Sequence, residues 1–250
     1  MTETPVTSVD QDTPTDQAGF ESAWTIAEQI PGWLTRAQGA MLWQAVLRLG
    51  RGAHIVEIGS HQGRSTVVLG RAAQTIGARV TAIDPFVEGR LFGGPSTRDR
   101  FEANLARAGV TGTVTLLAEY STRARPQWTG GAIDLTYIDG KHDYWTFTDD
   151  LRWAEFMADG AEVLVHDCYS SIGVTSGVAV KVLPSRKYSY VDRAGSLARF
   201  RLARPAAADR VRLLKQLPWF TRNVGLKALL RLRLRGVARA FGHDSPYDPY

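Results

Sequence analysis

The feature that most constrains the fold of this chain is a regular alternation of short apolar runs with helical patterns. Five runs are rich in Val, Ile, Leu and Ala, and they cover residues 54–58, 79–83, 114–118, 132–138 and 162–165. Helical spacing of apolar side chains is found at 65–75, 97–108, 144–157 and 174–183. Parallel strands that alternate with helices are buried on both faces, and ligands bind where the strands end. The pattern therefore predicts an α/β domain with a site at the carboxyl edge of its sheet.

Further signals frame this pattern at both ends. Thr35 and Gln38 have the spacing of a helix capping box, and a helical pattern follows them. Residues 188–191 and 197–202 alternate in the manner of two strands joined by a tight turn. Together with the five runs, these signals predict a seven-stranded, mostly parallel sheet that ends in an antiparallel hairpin.

Composition divides the chain into three parts. Residues 1–20 are polar and predict a disordered leader, residues 21–203 carry the α/β pattern, and residues 204–250 form a basic extension. The net charge is +5, yet residues 201–250 contain eleven Lys and Arg residues against three Asp. The remainder is therefore mildly acidic, and we do not expect the domain to bind nucleic acid.

The cysteine content and the lack of long apolar segments indicate the cellular compartment of the protein. Cys168 is the single cysteine, so no disulfide can form within the chain. The leader has no apolar segment of the kind that secretory signals carry, and no run is long enough to cross a bilayer. These features predict a cytoplasmic protein.

The stretch IVEIGSHQGRST at residues 55–66 predicts a strand, a turn and the start of a helix. Gly59 suits the sharp turn, and Gly63 is expected to let a ligand approach the backbone at the helix start. The close glycine pair of G-x-G-x-x-G is missing, which argues against a pyrophosphate and an NAD-dependent oxidoreductase. Glu57 suits a cationic group, and Asp84 at the next strand end suits the hydroxyls of a ribose. A nucleoside with a cationic amino-acid part fits both acids.

Four motifs in order carry a resemblance: VEIGSHQGRST, AIDP, YIDGKHDY and VLVHD. They resemble the class I S-adenosylmethionine-dependent methyltransferases, and more narrowly the metal-dependent O-methyltransferases that act on small molecules and sugars. The resemblance spans roughly residues 30–202 and implies a Rossmann-like fold, here with a C-terminal helical extension. It implies S-adenosylmethionine as cofactor, with the methionine part near Glu57, Gly59, Ser60, Gly63, Ser65 and Thr66. It further implies the ribose at Asp84, the adenine along Pro85, Tyr120 and Ser121, and Asp139 close to both cofactor and metal.

Two acids at neighbouring strand ends suggest a metal. Asp139 and Asp167 are 28 positions apart, and each follows an apolar strand. Like charges in one site repel unless a cation neutralises them, and oxygen ligands suit a hard divalent ion. The resemblance implies Mg²⁺ at this place. The residue after the second acid is Cys168, where relatives carry an oxygen ligand, so water is expected to fill the third position. The alternative is that one or both acids only cap the loops or helices that follow them.

The general base is expected in the segment after Asp139. His142 stands where catechol-type relatives carry a Lys, and its imidazole titrates near neutral pH. We expect neutral His142 to remove the proton of the acceptor hydroxyl, with Asp139 beside it. His166 is a second candidate, as base or as a partner of Asp167. A simple hydrogen-bonding role of His142 in a polar loop is the alternative.

The acceptor is expected to be a hydroxyl of a saccharide or a glycosylated metabolite, with a polysaccharide precursor as one case. A catechol or phenol is the alternative acceptor. Trp33 and Trp145 could stack on such a ring, although Trp more often serves packing. The alternative of another class is a non-catalytic scaffold or membrane-surface protein that uses the basic extension.

The extension predicts an amphipathic basic helix. Its apolar residues at helical spacing are Leu226, Leu229, Leu230, Leu234 and Val237. Such a face is expected to dock on its own domain or on a second subunit, giving a homodimer. Contact of residues 204–250 with an anionic membrane surface is the second expectation.

Overall fold

The computed structural model describes residues 14–87 and 95–240. Within these ranges the chain forms one sheet. Its strands are β1 (His54–Ile58), β2 (Arg79–Ile83), β3 (Val114–Leu117), β4 (Ile133–Ile138), β5 (Met157–Val165), β6 (Tyr188–Ala194) and β7 (Leu197–Leu202). The strand order is β3-β2-β1-β4-β5-β7-β6. The first five strands run parallel, whereas β7 is antiparallel to β5 and β6. The predicted seven-stranded sheet with a terminal hairpin is confirmed.

Helices flank the sheet and extend beyond it. They are α1 (Pro14–Ala27), α2 (Arg36–Leu47), α3 (Arg64–Ile76), α4 (Pro95–Arg107), α5 (Ser121–Ala124), α6 (Tyr144–Asp150), α7 (Ile172–Gly177), α8 (Ala207–Leu214), α9 (Leu217–Arg231) and α10 (Arg235–Ala240). The predicted capping box begins α2: the Gln38 amide donates to Thr35 Oγ1 at 3.4 Å, and the Thr35 amide donates to Gln38 Oε1 at 2.8 Å.

Two apolar clusters cover the faces of the sheet. Because side chains alternate along a strand, Ile55 joins one cluster and Val56 the other. The first cluster includes Phe20, Trp24 and Trp43 from α1 and α2. All five residues of β1 are buried, as expected for a central parallel strand. The sheet is therefore covered on both sides, and its carboxyl edge is where side chains can meet a ligand.

Several boundaries differ from the sequence prediction. The helix α1 begins at Pro14, inside the predicted leader of residues 1–20, because Phe20 is buried against Trp43; residues 1–13 lie outside the described ranges. The helix expected at 144–157 ends at Asp150, and 3₁₀ turns continue to Phe156. Strand β5 consequently begins at Met157 rather than at residue 162. Tighter turns and an earlier strand replace the last helical turns.

The extension is folded as α8, α9 and α10, and it packs on the domain. Leu213 and Leu226 are buried, and the Arg193 guanidinium lies 4.2 Å from the centre of the Trp219 ring. A single amphipathic helix through Val237 was predicted, but α9 ends at Arg231. The reason is a left-handed residue, Arg233, with φ 60°. Its amide donates to the Leu230 carbonyl at 3.0 Å and thereby closes the helix.

The break separates the predicted apolar face into two parts. Leu226 on α9 is buried, whereas Leu234 and Val237 beyond the break are exposed. Within the described ranges, no helix combines the length and apolar character that a bilayer crossing requires.

Candidate active site

The glycine turn after β1 is shaped by close packing. Gly59 has φ 88°, and a Cβ atom there would lie 2.3 Å from the carbonyl oxygen of Asp139. Gly63 has φ 89°, and a Cβ atom there would lie 3.1 Å from side-chain atoms of Phe101 and Leu105 on α4. Both positions therefore require glycine. The Cβ direction of Gly63 faces α4, so this glycine makes room for a helix as well as for a tight helix start.

Glu57 is fully buried at the end of β1, and hydroxyl groups of its own turn satisfy it. Ser65 Oγ and Thr66 Oγ1 each donate to its carboxylate at 2.5 Å, and Ser60 Oγ donates at 3.0 Å. Burial raises the pKa of Glu57 to about 7, although the three hydroxyl groups oppose this shift. The structure thus joins four residues that were predicted to surround the methionine part of the cofactor.

Asp84 connects the end of β2 to the same turn. Its Oδ2 atom accepts hydrogen bonds from the amides of Ser60 and His61 at 2.9 and 2.8 Å. Its Oδ1 atom accepts one from the Phe86 amide at 2.8 Å. A carboxylate oxygen can accept two hydrogen bonds, so Oδ1 retains capacity for a ligand hydroxyl. Pro85, which is predicted to lie along the adenine, follows directly.

The predicted adenine residues after β3 lead to an acid that sequence reasoning missed. Ser121 Oγ donates to Asp150 Oδ1 at 2.5 Å, while Tyr120 is exposed. Asp150 is buried, and no described residue donates a hydrogen bond to its Oδ2 atom. Burial raises the pKa of Asp150 to about 7. Asp150 lies in an ordinary helical pattern, so nothing in the sequence distinguished it.

Asp139, His142, His166 and Asp167 meet at the carboxyl ends of β4 and β5, and we call these four residues the edge cluster. His142 Nδ1 lies 2.9 Å from Asp167 Oδ2, and His142 Nε2 lies 3.4 Å from Asp139 Oδ1. His166 Nδ1 lies 3.2 Å from Asp139 Oδ1 and 3.6 Å from Asp167 Oδ1, without the alignment of a hydrogen bond. All residues predicted as catalytic or metal-binding are therefore in one place.

Charge dominates the electrostatics of the edge cluster. Burial lowers the pKa of His142, but the hydrogen bonds and charges of Asp139 and Asp167 outweigh burial and raise it to about 9. The same two acids raise the pKa of His166 to about 10 against the effect of burial. Both carboxyl groups have a lowered pKa in return, because the imidazolium charges outweigh their burial. In this arrangement the histidines carry the positive charge that the acids require.

The oxygen atoms of Asp139 and Asp167 suit a hard cation, but the protein does not complete a ligand set around them. Cys168 is buried in the apolar cluster beside Tyr169, and burial raises the pKa of its thiol. Within the described residues, no three His, Cys, Asp or Glu side chains form a group that could hold a metal ion. Asp139 and Asp167 are already paired with His142 and His166, so a cation here would have to displace these imidazole groups and take water as its further ligands.

Three further side chains hold the edge cluster in place. The Tyr137 hydroxyl donates to Asp139 Oδ2 at 2.9 Å, and Ser170 Oγ donates to Asp167 Oδ1 at 2.6 Å. Gln38 Oε1 lies 3.3 Å from His166 Nε2. The period of two along a strand could have identified Tyr137, which shares the face of Asp139. Gln38 is 128 positions from His166, and the sequence signal marked it only as part of a helix cap.

The turn that carries Asp167 has an unusual backbone. Asp167 and Tyr169 have φ 57° and 63°, in the left-handed region that disfavours non-glycine residues. The Ser171 amide donates to the Asp167 carbonyl at 3.0 Å, and Asn223 Nδ2 donates to the Tyr169 carbonyl at 3.2 Å. The C-terminal extension therefore helps to fix the turn that presents Asp167.

Aromatic side chains stand at the rim of this region. Trp145 is the second residue of α6, three residues after His142, and 79% of its surface is exposed. The Tyr144 ring meets the indole edge-on at 5.0 Å, and the Trp145 amide donates to the helix-capping Asp143 at 3.0 Å. Trp33 is also exposed, and its ring centre lies 5.5 Å from that of His61 in the glycine turn.

Comparison with known proteins identifies what this architecture resembles. Residues 56–168 match the model of a family described as a methyltransferase domain. The cofactor-bound Rv0187 protein from MTB is 19% identical, with a TM-score of 0.58 over 79% of this chain and 94% of that chain. An O-methyltransferase from Bacillus cereus in complex with SAH is 18% identical, with a TM-score of 0.53 over 77% of this chain and 93% of that chain.

A third structure extends the comparison. The O-methyltransferase TomG from Streptomyces achromogenes, involved in tomaymycin synthesis and solved in complex with SAM, is 20% identical. Its TM-score is 0.52 over 78% of this chain and 92% of that chain. At these identities the likeness establishes the fold, which is the Rossmann-like fold of class I methyltransferases. The matched domain supports the expectation of a methyltransferase.

Proposed function

We propose that this protein transfers the methyl group of S-adenosylmethionine to a hydroxyl of a saccharide or of a glycosylated metabolite, with a divalent cation, Mg²⁺ by preference. The observation that carries the proposal is the convergence of the edge cluster beside the glycine turn. Glu57 and Asp84 lie on one side of this edge, and Asp139 lies between the turn and the histidines. A cofactor along the turn would therefore present its methyl group near an acid and a base.

The cofactor is expected to use the residues that end the first two strands. Asp84 Oδ1 has capacity for a ribose hydroxyl. We expect Pro85, Tyr120 and Ser121 to flank the adenine. S-adenosylmethionine supplies an electrophilic methyl group on sulfur when bound. The chain's own contribution is to hold the acceptor oxygen in line with that group and to remove its proton.

His142 is the base that the structure favours over His166. The side chain of His142 is 44% exposed, whereas that of His166 is 1% exposed. An acceptor can therefore reach His142, and His166 instead fixes the positions of Asp139 and Asp167. A cation held by these two carboxylates would lower the pKa of the acceptor hydroxyl. His142 must be neutral to accept the proton, so its two carboxylate partners have to be compensated by other positive charge.

A groove along α6, the helix that follows His142, supports a saccharide acceptor. Trp145 heads a groove of ≈ 450 Å³ along α6, which is also lined by Thr148, Asp149, Arg152, Lys181 and Tyr188. An exposed indole offers a flat face for a sugar ring, and charged side chains beside it offer hydrogen bonds to hydroxyl groups. A phenol would use the indole but has few hydroxyl groups to bond to the polar side chains of the groove, and we therefore place the catechol alternative second.

The test is methyl transfer from labelled S-adenosylmethionine to panels of free and nucleotide-linked sugars and of phenols. We expect a sugar to be methylated, activity to be lost with EDTA and restored by Mg²⁺, and Trp145→Ala to raise KM for the sugar. Trp33→Ala is compared with it, because a rise in KM in Trp33→Ala alone would assign the stacking role to Trp33 instead. Preference for phenols would contradict the acceptor class, and full activity in EDTA would contradict the role of the cation. No transfer to any acceptor by protein that binds S-adenosylmethionine would favour the scaffold alternative.

A further inference from the structure

We infer that the end of the extension binds the surface of an anionic phospholipid bilayer. Residues 231–240, which we call the basic tip, comprise the last residue of α9, the turn after it and α10. Leu232 is 69% exposed, and Leu234 and Val237 are exposed as well. The side chains of Arg231, Arg233 and Arg239 are exposed among them. Apolar and cationic side chains thus share one solvent-facing segment.

The charge of the segment matches an anionic surface. No acidic residue occurs between Asp209 and Asp244, a stretch that contains Arg210, Arg212, Lys215, Arg222, Lys227, Arg231, Arg233, Arg235 and Arg239. Basic clusters of this density are attracted to the negative surface potential of membranes that contain acidic lipids. The rest of the chain is mildly acidic, so the attraction would orient the molecule with the extension toward the lipid.

The apolar side chains favour a bilayer over a nucleic acid. A nucleic-acid surface needs cations, and aromatic side chains where bases stack, but it gains little from exposed Leu and Val. An interfacial helix gains from both, because its apolar side chains enter the acyl boundary while its arginines reach the headgroups. A bilayer would therefore bury Leu232, Leu234 and Val237, whereas a phosphate backbone would leave them exposed.

The backbone conformation between α9 and α10 places Arg233 at an exposed turn. This residue closes α9 in the left-handed conformation, where glycine would be less strained. The amide of Leu234 donates to the Leu229 carbonyl at 2.9 Å, which completes the closing motif. The motif turns the chain so that Leu232 and Leu234 lie on either side of an exposed arginine.

The opposite side of α9 anchors the basic tip to the catalytic domain. Leu226 is buried, and Asn223 donates to the carbonyl of Tyr169, two residues after Asp167. From Asn223 to Arg231 the helix rises by about 12 Å. A bilayer bound at the basic tip would therefore lie a short distance along α9 from the turn that presents Asp167. This inference is independent of the acceptor proposed above.

The experiment is co-sedimentation of the full chain with phosphatidylcholine vesicles that contain or lack phosphatidylglycerol. We expect binding only to the anionic vesicles, weakened by added salt. Each basic side chain at such a surface contributes about fivefold in affinity, so the triple change Arg231→Glu, Arg233→Glu and Arg239→Glu should reduce binding at least about 100-fold. The triple change Leu232→Ser, Leu234→Ser and Val237→Ser keeps the charge and should also weaken binding.

Matched controls decide between this surface and general charge. Arg51, Arg107 and Arg186 are exposed on the domain, and their joint change to Glu alters the net charge equally but should leave binding intact. All variants must keep the wild-type melting temperature, as expected for exposed positions. Equal loss in the control variant, no wild-type binding to anionic vesicles, or binding to RNA or duplex DNA in place of vesicles would overturn the inference. A dimer that forms through the basic tip and excludes vesicles would overturn it too.

Discussion

At the scale of single residues, the position of His142 between two carboxylates sets the pH range of its chemistry. Asp139 and Asp167 raise its pKa to about 9 against burial. A histidine accepts a proton only in its neutral form, which is present above its pKa. Because the pKa of His142 is raised on folding, protonated His142 stabilises the folded state fully below pH 6.5, and this stabilisation is lost as the pH rises through about 9. The acids that stabilise the edge cluster therefore also hold back its base.

The first prediction follows from this position. We expect kcat to rise with pH through a limb well above 6.5, and we expect added Mg²⁺ to move that limb downward because the cation competes with the imidazolium for the carboxylates. His142→Ala should remove the limb and lower kcat by about 10²–10⁴-fold, with cofactor affinity nearly unchanged. The measurement is the pH dependence of kcat at low and at saturating Mg²⁺ concentration. An unchanged limb in His142→Ala would assign the base elsewhere, with His166 next to be tested.

The second prediction concerns the buried pair of Ser121 and Asp150. The pKa of the Asp150 carboxyl is about 7 in the folded protein, above the ordinary value of 3.8. As the pH rises, the unfolded chain therefore loses this proton before the folded protein does. Asp150 therefore costs stability increasingly as the pH rises from about 4 to about 7, by up to about 4 kcal/mol. Asp150→Asn cannot ionise, and it should gain in free energy of unfolding relative to wild type over this window. Ser121→Ala removes the hydrogen bond that Ser121 donates to the Asp150 carboxylate, so the pH-dependent loss of stability should be larger in this variant than in wild type. The measurement is urea denaturation at several pH values. A difference in free energy of unfolding between Asp150→Asn and wild type that does not change with pH would contradict the prediction.

At the scale of elements, the sequence predicts secondary structure best where a single pattern determines the element. Strands β1 and β2 have the predicted bounds, because a short run rich in Ile, Val and Ala between turn residues leaves few alternatives. The strand-end acids were also predictable, since parallel strands bring their carboxyl ends to one edge. The gathering of Asp139 and Asp167 into one cluster follows from the same rule.

Other features depended on contacts between distant parts of the chain. The helical pattern after Tyr144 gives way to 3₁₀ turns, and β5 begins five residues early, because pairing with β4 starts at Met157. The break at Arg233 arises from a closing motif in a leucine- and arginine-rich run whose periodicity favours a continuous helix. Gln38 reaches His166 only through the packing of α2 against the sheet. Sequence periodicity contains none of these contacts.

The third prediction tests the glycine turn as an element. Gly59→Ala would place a Cβ atom 2.3 Å from the Asp139 carbonyl oxygen, at φ 88°. Gly52 provides a matched control, because it has φ 80° and a Cβ atom there would meet no other described atom within 4 Å. Gly52→Ala should cost about 1 kcal/mol through backbone strain alone. Gly59→Ala should cost clearly more and reduce cofactor affinity, since the turn must move away from β4. Equal effects on the denaturation midpoint would show that the close contact is not decisive.

At the scale of the whole molecule, the extension is part of the folded unit and also its most basic surface. One side covers the domain through Leu213, Leu226 and the Trp219 ring that meets Arg193. The other end leaves Leu232 and its neighbours in solvent. The boundary expected at residue 203 divides the chain by charge, whereas the packing continues across it to α9. Stability and surface recognition therefore belong to different parts of one extension.

The last prediction separates those parts by truncation. A chain that ends at residue 203 loses the burial of Leu213 and Leu226, each worth about 1.5–3 kcal/mol, and it also loses the hydrogen bond from Asn223 to the Tyr169 carbonyl. We expect its free energy of unfolding to fall by at least about 3 kcal/mol, and the Asp167 turn to loosen with it. A chain that ends at Arg231 keeps these contacts and should retain wild-type stability while losing vesicle binding. Leu226→Ala in the full chain tests one of these contacts alone and should cost about 2–5 kcal/mol. Urea denaturation of the three proteins decides: equal stability of the chain ending at 203 and the full chain would mean that the extension is only an appendage.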